Sequence, residues 1–520
     1  MKKVTKQNIL ENSTLLFLFL FPLFSTIFFY NHLTTLFMLV VTFILLLFTL
    51  IFIKPSRSKC KYLFIYYIVS LIYYLLNIFH NHSFTSLVPG DFNYNIVKEG
   101  LTILKLITPI TLLYILYYQK IPYKKYMFVI KAWCLFICLS IIITNIFGLS
   151  LSSYKDGLIT HNIFTWNKGY YYQDIASKGM FMYANQISVF TLIILIPLLY
   201  NYLTCSKKDI IYILLITVTN LMLGTRVSSL GGLLTLICYL LFYIAFSIYN
   251  KEKIKKRTFL LLIPLALWFI LLPISPYSSR HSELNREALK EESVTTSVNV
   301  IDAKTLDTKT QYVYEHYNKD YLPSDFFENK YPIKYDEEFW YDYVLNNKPE
   351  EMTYRHTEKS IIKRVVEINN KKSDKLLGIS NTRIQNIVNL EKDFVLQYYA
   401  FGLVGMLVLL FVYFALSIYS IYNFFKKQSM YAFTFSTVIL LFCFASYLTG
   451  NILNSLNIAL PFIFISSMIF RKEDDIREWW FENDKKTLWR KYDAFSKKSI
   501  SSYSRTKRFT LETFFWKFWF

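Results

Sequence analysis

Apolar residues run in long blocks along most of the chain, separated by short polar or basic links. Blocks of about twenty apolar residues cross a hydrocarbon core as helices. The pattern predicts spans near 13–31, 34–53, 62–79, 100–118, 126–148, 186–204, 209–225, 227–249, 258–274, 396–424, 430–449 and 454–470. The expected fold is all-α, a polytopic membrane helix bundle of about 12 transmembrane helices. The first span follows MKKVTKQNILENS, exceeds a signal-peptide core and lacks a small-residue cleavage pattern, so it reads as an uncleaved helix.

Two segments break the pattern. Residues 275–393 are rich in Asp, Glu, Lys and Tyr and are too long for an idle connector. The stretch SVTTSVNVIDAKTLDTKT reads as loose, whereas Ile361, Ile362, Val365, Val366 and Ile368 form a helical stripe. A small helical cap on the membrane surface is expected. Residues 471–520 mix basic and aromatic side chains, which predicts an interfacial tail. The chain thus divides into 1–274 with nine transmembrane helices, a loop or cap at 275–393, three more helices at 394–470 and the tail.

Charge placement orients the bundle. A net charge of +21 in 520 residues would suit nucleic acid, but the basic residues gather in KPSRSKCK, QKIPYKK, SKK, NKEKIKKR, FFKK and the tail, on one side of successive spans. The positive-inside rule makes that side cytoplasmic. Both termini are then cytoplasmic, the loop is extracytoplasmic, membrane lipids are the partners and nucleic acid is not. Six cysteines (Cys60, Cys134, Cys138, Cys205, Cys238 and Cys443) fall in spans or at their ends, so no disulfide framework is suggested. There is no glycine-rich phosphate loop, HExxH or CxxC pair, and His281, His316 and His356 lack metal-ligand spacing. No metal and no cofactor are expected.

Arg226, in LMLGTRVSSLGGLL, is the one charge between Ile210 and Tyr249. An arginine at a bilayer midplane costs from roughly 3 to more than 10 kcal/mol. The run is twice the length of one span, so a hairpin turning at Gly224-Thr225-Arg226 is expected, with Gly231 and Gly232 allowing close packing. The turn faces outward by the span count. Arg226 either snorkels to headgroup phosphates or faces a cavity as an anion site, to which its planar fork is suited. Lys105 and Lys131 are further charges within predicted spans; Lys105 either faces the same cavity or snorkels.

Two other stretches lie on the outward side. One opens a span with Lys178-Gly179-Met180-Phe181 and Asn185. The other closes the long loop with Leu376-Leu377-Gly378-Ile379 and starts the next span with Glu391-Lys392-Asp393-Phe394, followed by Gly402 and Gly405. Glu391 and Asp393 are equally readable as acids favoured at a helix N-terminus. In this order and topology, with Gly224-Thr225-Arg226 between them, the elements resemble those of the O-antigen ligase and Wzy-type polysaccharide polymerase superfamily. The likeness is nearest to its O-antigen ligase-like branch in Gram-positive bacteria and covers roughly residues 90 to 470.

The resemblance implies a GT-C-like membrane glycosyltransferase of the bacterial cytoplasmic membrane. Such an enzyme moves a glycan from undecaprenyl pyrophosphate to an acceptor hydroxyl without a metal. It also implies a second arginine in the long loop, for which Arg364 fits best and Arg355 next, with Arg383 and Arg280 behind them. Each of these is also readable as a helix-surface charge. Where the ligase branch has a histidine base, this chain has Glu391. A carboxylate can take that proton if burial raises its pKa.

The reading that follows is a polymerase joining lipid-linked repeat units, with Arg226 and Arg364 on the pyrophosphate and Glu391 taking the acceptor proton. Other polysaccharide-assembly proteins are natural partners. A ligase of the same fold, delivering a finished glycan to another acceptor, is the alternative. A lipid-linked glycan flippase is the third reading, and would spread its charges through the midplane.

Overall fold

Each apolar block overlaps helix in the computed structural model, which describes residues 6–27, 33–88, 92–281, 308–317, 322, 324–348 and 351–471. The chain begins with α1 (Lys6–Phe19), α2 (Phe21–Ile27), α3 (Thr34–Phe52), α4 (Arg57–Asn81), α5 (Ile96–Gln119) and α6 (Tyr123–Ile146). After a loop with the short α7 (Tyr172–Ile175) come α8 (Ala184–Thr204), α9 (Ile210–Leu223), α10 (Gly232–Tyr249) and α11 (Leu262–Leu271). The long loop carries α12 (Thr308–His316), α13 (Glu337–Asn346), α14 (Tyr354–Asn369), α15 (Asp374–Leu377) and α16 (Asn381–Ile387). The chain returns to the bundle through α17 (Asp393–Leu409), α18 (Phe411–Lys427), α19 (Met430–Leu448) and α20 (Leu456–Ser466). Among the described residues there are no strands, only bridges pairing Leu151 with Leu158 and Ser152 with Ser177.

Eight helices among the described residues are long and apolar enough to cross a membrane, or nine if the bent pair α17 and α18 is one span. The difference from twelve has local causes. Helix α1 stops at Phe19 and α2 resumes before Pro22, while α9 has 14 residues and α20 has 11. Helices α17 and α18 meet at 52°. The tail from 472 onward, and most of the stretch 293–310 read as loose, lie outside the described residues. All six cysteines are free.

Burial sorts the helices by polarity. The apolar window of α8 is 94% buried, against 33% for α3. A helix surrounded by protein can carry polar groups that a lipid-facing helix cannot, provided each finds a partner. Accordingly α8 holds Thr191 against the side-chain oxygen of Asn220 at 2.6 Å and Ser188 against Thr225 at 2.7 Å. Its other end holds Asn201 against Asp209, which also takes Lys131 at 2.7 Å. Helix α3 instead exposes Leu36, Val40, Leu47 and Ile51.

The stripe predicted on α14 is real: Ile361, Ile362 and Val365 are buried, packing in one core with Trp340, Tyr343, Phe326 and Phe327. The loop's last part, by contrast, docks into the bundle. Asp374 accepts from Asn369 at 2.7 Å and pairs with His80 of α4 at 2.8 Å. Glu99 of α5, fully buried, accepts the amides of Asn381 and Thr382 at 2.9 and 3.0 Å and so caps α16. At Gly402 the helix α17 is interrupted, with φ +62. There the carbonyls of Tyr399 and Ala400 accept the amides of Ile379 and Ser380 at 2.9 and 3.0 Å. The Tyr73 hydroxyl lies 2.7 Å from the carbonyl oxygen of Phe401. Neither Gly378 nor Gly402 could carry a Cβ, which would fall 2.2 Å from Ala400 and 2.3 Å from Leu376 backbone atoms.

Candidate functional site

The turn that carries Arg226 is built by its neighbours. Gly224 caps α9 in the left-handed region, and a Cβ there would lie 2.7 Å from Pro276. The Thr225 hydroxyl accepts the Ser228 amide at 3.0 Å, and a single π-turn at Val227–Gly231 leads into α10. Gly232 admits the Trp268 ring, which would sit 2.5 Å from a Cβ, and Trp268 donates to the Ser229 carbonyl at 3.1 Å. The backbone is thereby fixed while the Arg226 side chain stays exposed.

Tyr154 ties a second guanidinium to this turn. Its hydroxyl donates to the Gly224 carbonyl at 2.8 Å and accepts from Arg280 Nη1 at 2.9 Å. Arg280 lies over the Tyr154 ring at 4.7 Å and the Tyr172 ring at 5.7 Å. Its Nε is buried without a hydrogen-bond partner among the described residues. Burial pushes the Tyr154 hydroxyl pKa up, and Arg280 and Arg226 pull it back.

Facing them is the junction between the loop and α17. Arg355, at the start of α14, reaches Glu391 Oε2 through Nε at 2.6 Å and Nη2 at 2.5 Å. Gly450 lies against the Glu391 main chain, where a Cβ would fall 1.8 Å from its carbonyl oxygen. Glu391 therefore has its backbone pinned from below and its carboxylate held from the side.

These groups line one cavity of about 970 Å³. Its polar lining holds Arg226, Arg280, Arg355, Lys392, Glu391, Asn185 and Thr225, so four cations face one carboxylate. Its other wall is apolar, running between α10 and α19 with Leu234, Tyr239, Phe433, Leu441 and Phe444. Leu234 and Phe444 are exposed. Such an arrangement can hold a doubly charged anion at one end and an extended hydrocarbon along the other.

Other predicted residues stand elsewhere. Arg364 does not line the cavity: its Nε and Nη2 bind both oxygens of the buried Asp336 at 2.8 and 2.9 Å. The hydrogen bond to Asp336 raises its pKa further. Arg383 is buried within the loop's docking site, donating to Asn81 and to the Phe92 carbonyl and stacking on Phe84 at 4.2 Å. Burial lowers its pKa to about 10. Asp393 is buried under three amides, those of Asn451, Ile452 and Leu453, each at 2.8 Å. Lys178 and Lys105 are half-buried outside the lining, and burial lowers the Lys178 pKa.

Sequence reading missed Lys392, although it stands between two singled-out acids, and Tyr154, for which the sequence offers no signal. Among the described residues no group of three or more His, Cys, Asp or Glu side chains could hold a metal ion. No curated protein and no solved structure matches the chain. A family model does match, that of the O-antigen ligase like membrane proteins, over residues 7–472. Nearly the whole bundle is covered, including every residue of the cavity, and the chain belongs to that family of membrane glycan-transferring enzymes.

Proposed function

We propose that the chain transfers a glycan from a polyprenyl pyrophosphate to an acceptor hydroxyl, and that it polymerises lipid-linked repeat units on the outer side of the cytoplasmic membrane. The observation that carries this reading is the convergence of Arg226, Arg280, Arg355 and Lys392 with Glu391 on a cavity that continues into an apolar groove. Arg226 and Arg280 hold the pyrophosphate, and the groove between α10 and α19 takes the start of the polyprenyl chain. The acceptor hydroxyl oxygen attacks the anomeric carbon as the bond to the pyrophosphate oxygen breaks, inverting that centre. The bonding electrons leave with the pyrophosphate, where fixed guanidinium groups offset the growing charge. The acceptor proton passes to Glu391, which Arg355 orients. The charge compensation comes from side chains, and the reaction needs no metal.

A ligase would use the same donor site with a different acceptor, and the family's description favours keeping that reading. A flippase accounts less well for a carboxylate and four cations gathered at one cavity. The test is to incubate the purified chain with a lipid-linked repeat unit alone. A ladder of products supports the polymerase. Consumption of donor only after a second, chemically distinct acceptor is added replaces it with the ligase, and no release of pyrophosphate carrier under either condition overturns glycan transfer.

A further inference from the structure

Helix α14 meets the Glu391 segment at two points. Arg355 holds the Glu391 carboxylate, and Glu358, three residues later on the same face, accepts the Asn389 amide on Oε1 at 3.1 Å. Glu358 is fully buried, and its Oε2 has no hydrogen-bond partner among the described residues. A buried carboxylate oxygen without a partner is costly, and holding one next to another carboxylate requires a reason. We propose that Glu358 is a positioning residue of the transfer site: it fixes the segment bearing Glu391 through Asn389, and its charge sets how firmly that segment is held.

Three charged groups face Glu358. Glu391 opposes its ionisation from the segment before α17, Lys330 favours it from the turn at Phe326–Lys330, and Arg355 favours it from its own helix. Burial outweighs these cations and, with Glu391, pushes the Glu358 pKa up to about 7. Below that pH the Glu358 carboxyl is neutral, and its hold on the Asn389 amide is that of an uncharged acceptor. Above it, the charged carboxylate strengthens the hydrogen bond from the Asn389 amide that seats the segment bearing Glu391.

This role rests on the proposed transfer reaction, but part of its test does not. The infrared difference between the full-length wild type and Glu358→Gln in lipid nanodiscs, without substrate, should contain a protonated carboxyl band that disappears as pH rises through neutrality, a readout that cancels the other buried carboxyls common to both proteins. Turnover of a lipid-linked repeat unit should rise over the same pH range in the wild type and stay flat in Glu358→Gln, with KM changed less than kcat. Identical infrared titrations, or identical pH profiles, overturn the proposal. If Glu358→Gln does not fold, Glu358→Asp serves instead: it keeps a titrating carboxyl, shortens its reach to Asn389 and should lose about 10²-fold in kcat, as a misplaced reacting group does. An unchanged kcat in that variant overturns the positioning role. Failure of the wild type to turn over any lipid-linked glycan overturns the transfer reading and leaves the infrared result to decide whether Glu358 titrates near neutrality.

Discussion

Arg355 grips one oxygen of Glu391 with two donors at once, Nε at 2.6 Å and Nη2 at 2.5 Å from Oε2. The pair is half-exposed at the cavity wall, so its value lies in orientation more than in stability. Replacing Glu391 by Gln should slow transfer by about 10² to 10⁴-fold while leaving donor affinity nearly unchanged. Arg355→Ala should cost about 10²-fold in kcat through loss of aim, and Arg355→Lys should restore only part of it, because an ammonium has no planar fork. Single-turnover rates alongside donor titrations check both; equal losses in rate and donor affinity for Glu391→Gln would remove the proton-acceptor role.

Arg226 is exposed on a backbone that its neighbours, and not its own side chain, hold in place. Arg226→Ala should therefore leave the thermal midpoint of the purified protein unchanged and reduce transfer by about 10² to 10³-fold. Wild-type product lengths from this variant would take Arg226 out of the site.

Arg364 should behave in the opposite way. Its two hydrogen bonds to Asp336 offset the burial of that carboxylate, which also accepts from Tyr331 at 2.7 Å. Arg364→Ala leaves Asp336 buried and short of its cation, a change that costs about 3 kcal/mol in comparable pairs. Limited proteolysis should cut the loop earlier in this variant, while donor affinity measured on the intact fraction stays at the wild-type value.

Gly450 tests whether the Glu391 main chain has to sit where it does. A methyl group there would lie 1.8 Å from the Glu391 carbonyl oxygen, so Gly450→Ala must displace the segment. Transfer should fall by about 10²-fold, whereas an Ala at Gly169, where nothing lies within 4 Å but a φ of +73 strains any side chain, should cost stability and leave the rate of the folded protein unchanged. Equal rates for the two variants would show that the exact seat of Glu391 is unimportant.

Periodicity made the helical blocks legible, and an arginine in forty otherwise uncharged residues marked its own turn. Less legible was which loop arginine shares the cavity. Arg355 and Arg364 are nine residues apart on α14, about two and a half turns, and so stand on opposite faces. That spacing alone says only one of them can face Glu391. Which one depends on Asp336, a residue without any marking in the sequence. Asp393 was similarly ambiguous, because an acid at a helix start and an acid in a site look alike until the amides of residues 451–453 are seen to converge on it. The count of spans was less legible too, since hydropathy sees an unbroken block across the break between Phe19 and Phe21 and does not register where the short α9 and α20 end.

The interruption at Gly402 has a bearing on how the chain can be divided. Main-chain carbonyls freed in the middle of an apolar helix find their donors in residues 379 and 380, at the far end of a loop more than a hundred residues long. Inside a bilayer such oxygens have no water to turn to. A soluble fragment cut at residue 393 would strip the bundle of those donors and leave its own final segment without a partner, so neither piece is a self-sufficient unit. Any attempt to graft a foreign loop onto this scaffold would have to keep residues 374–393 with the membrane helices.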